Sequence, residues 1–231
     1  MFAHAATAFG EVARDDIVTF IPFALANWDD YTDRVTAAFA SFGIEVRSAH
    51  RAPSPDRAIL DASVVMMGGG NTFRLLDSLY ALDVVDGLRR NVIDGATRYI
   101  GASAGTNVAC PSIRTTNDMP ICLPPSFAAL GLVPFQINLH YVDPDPASTF
   151  MGENRDERIV EFLEENNCPV LALYEGSWMR VDGQTASVTG RARLFDRTRV
   201  EAFEPGADMS ALLASEPTFD DAPRPKRGVM R

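Results

Sequence analysis

The sequence predicts an α/β fold, a mostly parallel sheet with helices on both faces. Three observations predict it. Short apolar runs rich in β-branched and aromatic residues alternate with segments of helical spacing. Those runs read as strands covered on both faces, which parallel sheets need. Two of them end in glycine-rich turns, GGGN and GASAG, where sheets of this kind place their sites.

The elements follow in order. IVTFIPFA (17–24) is a buried strand. WDDYTDRVTAAFASFG places Tyr31, Val35, Phe39 and Phe42 near helical spacing, with Gly43 as a stop. IEVRSAH (44–50) and SVVMMGGG (63–70) are the second and third strands. NTFRLLDSLYALDVVDGLRRNVIDG is helical in pattern, in two pieces, and TRYIGASAG (97–105) runs from strand into turn. FQINLHY (135–141) alternates like a half-buried strand. ENRDERIVEFLEENN (153–167) is an amphipathic helix with Ile159, Val160, Phe162 and Leu163 on its apolar side. CPVLALYEG (168–176) is a buried strand, and WMRVDGQTASV reads as a hairpin with Asp182-Gly183 in a type I′ turn. From about residue 215, SEPTFDDAPRPKRGVMR reads as a loose tail on a single α/β domain spanning 1–231.

Composition narrows the function. The 231 residues are 46% hydrophobic and 23% charged, and the net charge is −10. That balance argues against a nucleic-acid or membrane partner, either of which needs a basic face. The start, MFAHAATAFGEVARDD, lacks the pattern of a signal peptide, and no run reaches the length of a membrane span, so the expected place is the cytoplasm. Cys110, Cys122 and Cys168 are too few and too scattered for a disulfide framework or a zinc set. No metal or other cofactor is expected, and a homodimer is compatible with the sequence.

Gly101-Ala102-Ser103-Ala104-Gly105 matches the G-x-S-x-G elbow. A serine between strand and helix needs a tight turn to project its hydroxyl, and flanking glycines leave room for it. The helix that follows turns its N-terminal end toward the serine and favours developing negative charge. The glycines before Asn71 expose backbone N–H groups, so Gly70 and Ala104 are the candidate oxyanion donors. A serine also needs a base, and the chain has three histidines, His4, His50 and His140. His140, at the end of an alternating strand, is the best placed. The third member is Glu175, at the end of a buried strand where a lone carboxylate is costly, or Asp118, in the polar stretch RTTNDMPI.

GGGNTFRLL, IGASAGTNVACPSIRTTNDMPI, FQINLHY, GENRDERIVEFL and ALYEGSW, in this order over residues 64–181, together resemble the peptidase E family of aspartyl dipeptidases. The resemblance implies a fold similar to class I glutamine amidotransferases, with serine replacing their cysteine. It implies metal-free hydrolysis of small peptides with an N-terminal aspartate through an acyl-enzyme. The family's serine falls on Ser103, its histidine on His140, its glutamate on Glu175 and the aspartate of its NDMP block on Asp118. An arginine fork suits the substrate carboxylate, which makes Arg114, Arg155 and Arg158 candidates beside Asn71. The alternatives are a cyanophycinase-like hydrolase of β-aspartyl linkages, an inactive amidotransferase-like binding protein, and an α/β-hydrolase esterase.

Overall fold

The fold is described from a computed structural model covering residues 5–145, 147 and 151–220. Four strands, β1 (Val18–Ile21), β2 (Val46–Ser48), β3 (Val64–Met67) and β4 (Arg98–Gly101), make a parallel sheet in the order β2-β1-β3-β4. Successive side chains of a strand point to opposite faces. Val18, Phe20, Val64 and Met66 therefore pack with α1 (Ala6–Ala13) and α2 (Trp28–Ala40). Ile21, Val65 and Met67 pack with α3 (Pro55–Leu60), α4 (Thr72–Ala81), α5 (Val85–Ile93) and α6 (Ala104–Ala109). Both faces are covered, so the strands read as unbroken apolar runs. Each large side chain so buried stabilises the fold by about 1.5–3 kcal/mol.

The second half builds a mixed sheet. β5 (Gln136–Tyr141) lies parallel to β6 (Val170–Tyr174), and α7 (Arg155–Glu165) connects them. α7 opens on a capping box between Asn154 and Glu157, and buries Ile159 and Leu163 against Tyr141, Val170 and Phe195. A hairpin of β7 (Trp178–Asp182) and β8 (Thr185–Thr189) precedes β9 (Ala192–Phe195) and β10 (Val200–Phe203). The sheet order is β10-β9-β6-β5, with β9 antiparallel to both its neighbours.

Several expectations need correction. The hairpin loop is Gly183-Gln184, one residue later than expected, and only Gly183 has positive φ, which is type II′ rather than I′. β5 is not half-buried: Gln136, Ile137 and Asn138 are all buried, and Asn138 donates to the Thr115 carbonyl at 2.9 Å. α6 has only six residues, so its unpaired N-terminal N–H groups matter more than any macrodipole. Part of the expected loose tail is held. Thr218 pairs with Asn167, and the Phe219 ring packs on Phe162 and under the Arg114 guanidinium. Residues 221–231 lie outside the described residues, as does His4.

Candidate active site

Ser103 sits between β4 and α6 with φ 50° and ψ −110°. A non-glycine residue there carries strain of about 1–3 kcal/mol, and the turn aims its side chain outward. The turn holds because its neighbours are small. A Cβ on Gly105 would lie 2.3 Å from the Met67 carbonyl oxygen, so only glycine lets α6 rest on the end of β3. The loop after β3 lies against the same turn. A Cβ on Gly69 would come within 3.0 Å of the Ser103 Cβ. Gly70 has φ 137°, and a Cβ there would meet the Ala24 carbonyl oxygen at 2.6 Å. Among the described residues, no acceptor takes the N–H of Gly70 or Ala104.

His140 reaches this turn from β5. The β5–β6 register slips between Asn138 and Tyr141, and within that bulge His140 has φ 55°. The bulge re-aims the ring, and Asn117 donates to the Leu139 carbonyl at 2.9 Å just before it. The His140 Nε2 lies 3.2 Å from the Ser103 Oγ, and its Nδ1 lies 2.5 Å from the Glu175 Oε2. This network places the ring proton on Nδ1, which donates to Glu175, and leaves Nε2 free to accept from the serine. Glu175 has the partner expected of it, for a different reason. It lies one residue beyond β6 and is 81% exposed, so no burial penalty forces the pairing.

Asp118 stands elsewhere. Its Oδ2 accepts from the Thr72 N–H at 2.8 Å, the Thr72 hydroxyl at 2.6 Å and the Thr116 hydroxyl at 3.1 Å. Asn107 on α6 donates to the hydroxyls of Thr72 and Thr116. Asp118 thus fastens the RTTND loop to the first turn of α4 and to α6. Asn71 caps α4 by accepting from the Arg74 N–H, and donates to the Met119 carbonyl at 2.8 Å. His50 contacts Ser48 and Asp29.

The three candidate arginines separate. Arg114 donates to Asn166 at 3.1 Å and lies over Phe219, so its head group serves the C-terminal segment. Arg155 and Arg158, on α7, line an open cavity of about 980 Å³ whose wall also includes Asn117, the residue that holds the strand beside His140. Arg158 faces Glu153 at 3.6 Å. The Arg155 guanidinium has no carboxylate partner among the described residues, and burial, then the charge of Arg158, pull its pKa below the usual value. Such a cation gains from an anionic ligand.

Residues 1–189 match peptidase family S51. The chain belongs to peptidase family S51. This S51 chain is 52% identical over 210 residues to Peptidase E of Streptomyces coelicolor, covering 90% of this chain and 86% of that one. It is 46% identical over 199 residues to a Drosophila melanogaster protein named "Probable alpha-aspartyl dipeptidase", covering 85% and 83%. The S51 fold here is also similar to the crystal structure of a peptidase from an acI-B1 actinobacterium, with TM-score 0.64, 12% identity, and 90% and 91% of the two chains covered. No helix among the described residues is long and apolar enough to cross a membrane.

Sequence reasoning passed over Thr72, Thr116 and Asn117, the residues that hold the site walls together. A signal existed. Polar residues crowded into an apolar context, as in TTND and NTF, mark loops whose backbone is fixed by side chains.

Proposed function

We propose that this chain is a serine peptidase that cleaves dipeptides carrying an N-terminal aspartate. One observation carries the reading: the hydrogen-bonded chain from Ser103 through His140 to Glu175 on a strained strand-to-helix turn. The name of the Drosophila melanogaster relative, "Probable alpha-aspartyl dipeptidase", points to the same substrate. The Ser103 Oγ attacks the scissile carbonyl while the His140 Nε2 takes its proton. Glu175 holds the ring in the tautomer that can accept, and steadies the imidazolium that results. The Gly70 and Ala104 N–H groups receive the oxyanion. His140 then protonates the leaving amine, and water, activated by the same ring, hydrolyses the aspartyl ester. Arg155 pairs with the substrate side-chain carboxylate, with Arg158 raising the local positive potential. Asn71 fixes the near wall through Met119, and Asp118 holds the loop.

A cytoplasmic place fits three cysteines that are all free thiols. The reading is tested by aspartate release from Asp-Leu. The wild-type enzyme should release it, and Ser103→Ala should lose at least about 10⁴-fold in kcat with an unchanged circular dichroism spectrum. A variant that retains more than a few per cent of wild-type turnover removes Ser103 as nucleophile.

A further inference from the structure

Two tyrosines flank the His140–Glu175 contact. Tyr141 follows the histidine, Tyr174 precedes the glutamate, and the two face each other across β5 and β6. Their rings meet edge to face with centroids 5.0 Å apart. Each hydroxyl is spent on an aspartate. Tyr141 donates to Asp156 at 2.5 Å and Tyr174 to Asp143 at 2.6 Å. Each aspartate is joined by an arginine from β9 or just before it. Arg193 donates to the Tyr141 hydroxyl at 2.6 Å and lies 3.5 Å from Asp156 and 3.4 Å from Asp143. Arg191 lies 4.2 Å above the Tyr174 ring and 3.5 Å from Asp143.

We propose that this Tyr-Asp-Arg clamp is a positioning device for the catalytic base and its carboxylate, a role that rests on the serine-peptidase reading above. A bulged residue has lost its ladder partner, so whatever anchors the chain on either side sets where it points. Asn117 and Asn138 hold the N-terminal side of His140. Tyr141, 1% exposed, is the anchor on the other side. Glu175 is exposed and unconfined by packing, so its reach to the imidazole depends on where its backbone is held, and Tyr174 holds it. Two phenylalanines would fill the same space. The hydroxyls add directed polar contacts, and that of buried Tyr141 would cost free energy were it not satisfied. Asp156 lies in the first turn of α7 beside Arg155, so the clamp also ties the histidine strand to the helix that carries the substrate arginine.

The test uses Tyr141→Phe and Tyr174→Phe in the full chain, alone and combined with Glu175→Gln. The readout is the rate at which a fluorophosphonate labels Ser103. Labelling forms a serine–phosphonate ester, expels fluoride and passes the serine proton to His140, so it reports the base whatever peptide is preferred. Each tyrosine variant should label about 10- to 100-fold more slowly, the loss expected when a catalytic group is misplaced by about 1 Å. Neither should slow labelling further in the Glu175→Gln background, because both act through the same contact. For Tyr174→Phe, whose contacts do not reach α7, the KM for Asp-Leu should stay within about twofold of wild type, since the change falls on the reacting groups rather than on binding. Wild-type labelling rates in both folded variants, or slowing that adds fully to that of Glu175→Gln, would overturn the proposal. Tyr174→Phe keeps the question open to refutation should Tyr141→Phe fold poorly. A wild-type enzyme that labels but leaves Asp-Leu intact removes the substrate reading alone, and the labelling comparison still decides the clamp.

Discussion

Ser103 and His140 are both non-glycine residues with positive φ, and both belong to the same hydrogen-bonded chain. Strain concentrated at two contacting residues marks where local preference has yielded to chemistry. If the two act as one unit, Ser103→Ala with His140→Ala should be little slower than either alone, and additive losses measured with Asp-Leu would mean independent roles. Glu175→Gln should lower kcat by about 10²–10⁴-fold with KM nearly constant, because the amide favours the wrong tautomer. Asp118→Asn should act differently. It weakens the contacts to Thr72 and Thr116, so it should lower the melting temperature more than kcat. The opposite ranking of the two variants would exchange their roles. The contact between Ser103 and His140 was legible because an elbow motif and a scarcity of histidines leave few choices. The choice between two carboxylates was not, since it depends on which side chain the bulge in β5 brings to the ring. The thiols are a further case. Burial pushes Cys110 and Cys168 up to about 12, so iodoacetamide at pH 8 should modify Cys122 alone in the folded protein, as peptide mass mapping can read.

The first sheet was readable at the level of elements because its strands are buried on both faces. VTFI and VVMM combine β-branched residues and Phe with Met, and no charged residue interrupts them. β9 and β10 were not. ARLF and VEAF are four residues each and carry a charge among apolar residues, and in β9 that charge, Arg193, turns to Asp156 and Asp143. α1 escaped notice as well, since its place is fixed by a remote contact, Phe9 stacked on Phe39 at 5.3 Å. The joint between β3 and α6 makes an element-scale prediction. Gly105→Ala puts a methyl into the Met67 carbonyl, and neither backbone can yield without moving the nucleophile. It should destabilise the protein by about 1–3 kcal/mol in urea melts and reduce kcat more than KM. A variant with wild-type stability would mean that the joint is looser than its geometry.

Across the whole molecule, the site draws on both halves of the chain. The proposed nucleophile and oxyanion donors come from the parallel sheet, and the proposed base, its carboxylate and the α7 arginines from the mixed one. Among the described residues, Thr218 and Phe219 join the C-terminal stretch to the second half through Asn167 and Phe162. Arg114→Ala should therefore lower stability by about 1 kcal/mol, as lost hydrogen bonding and ring contact would, and leave the preference for aspartate intact. If Arg155 holds the substrate carboxylate as proposed, Arg155→Met should instead raise KM for Asp-Leu at least about 10-fold. Chelation by EDTA should leave turnover unchanged. The central proposal is that Ser103, His140 and Glu175 cleave a dipeptide whose N-terminal aspartate is held by Arg155. It is tested most directly by kcat/KM on Asp-Leu, β-Asp-Leu, Glu-Leu and Asp-Leu-Leu under one set of conditions. Asp-Leu should exceed each of the others by at least about 10-fold, the discrimination that a fixed cationic partner supplies. Preference for β-Asp-Leu would contradict the account and turn the site toward β-aspartyl hydrolysis.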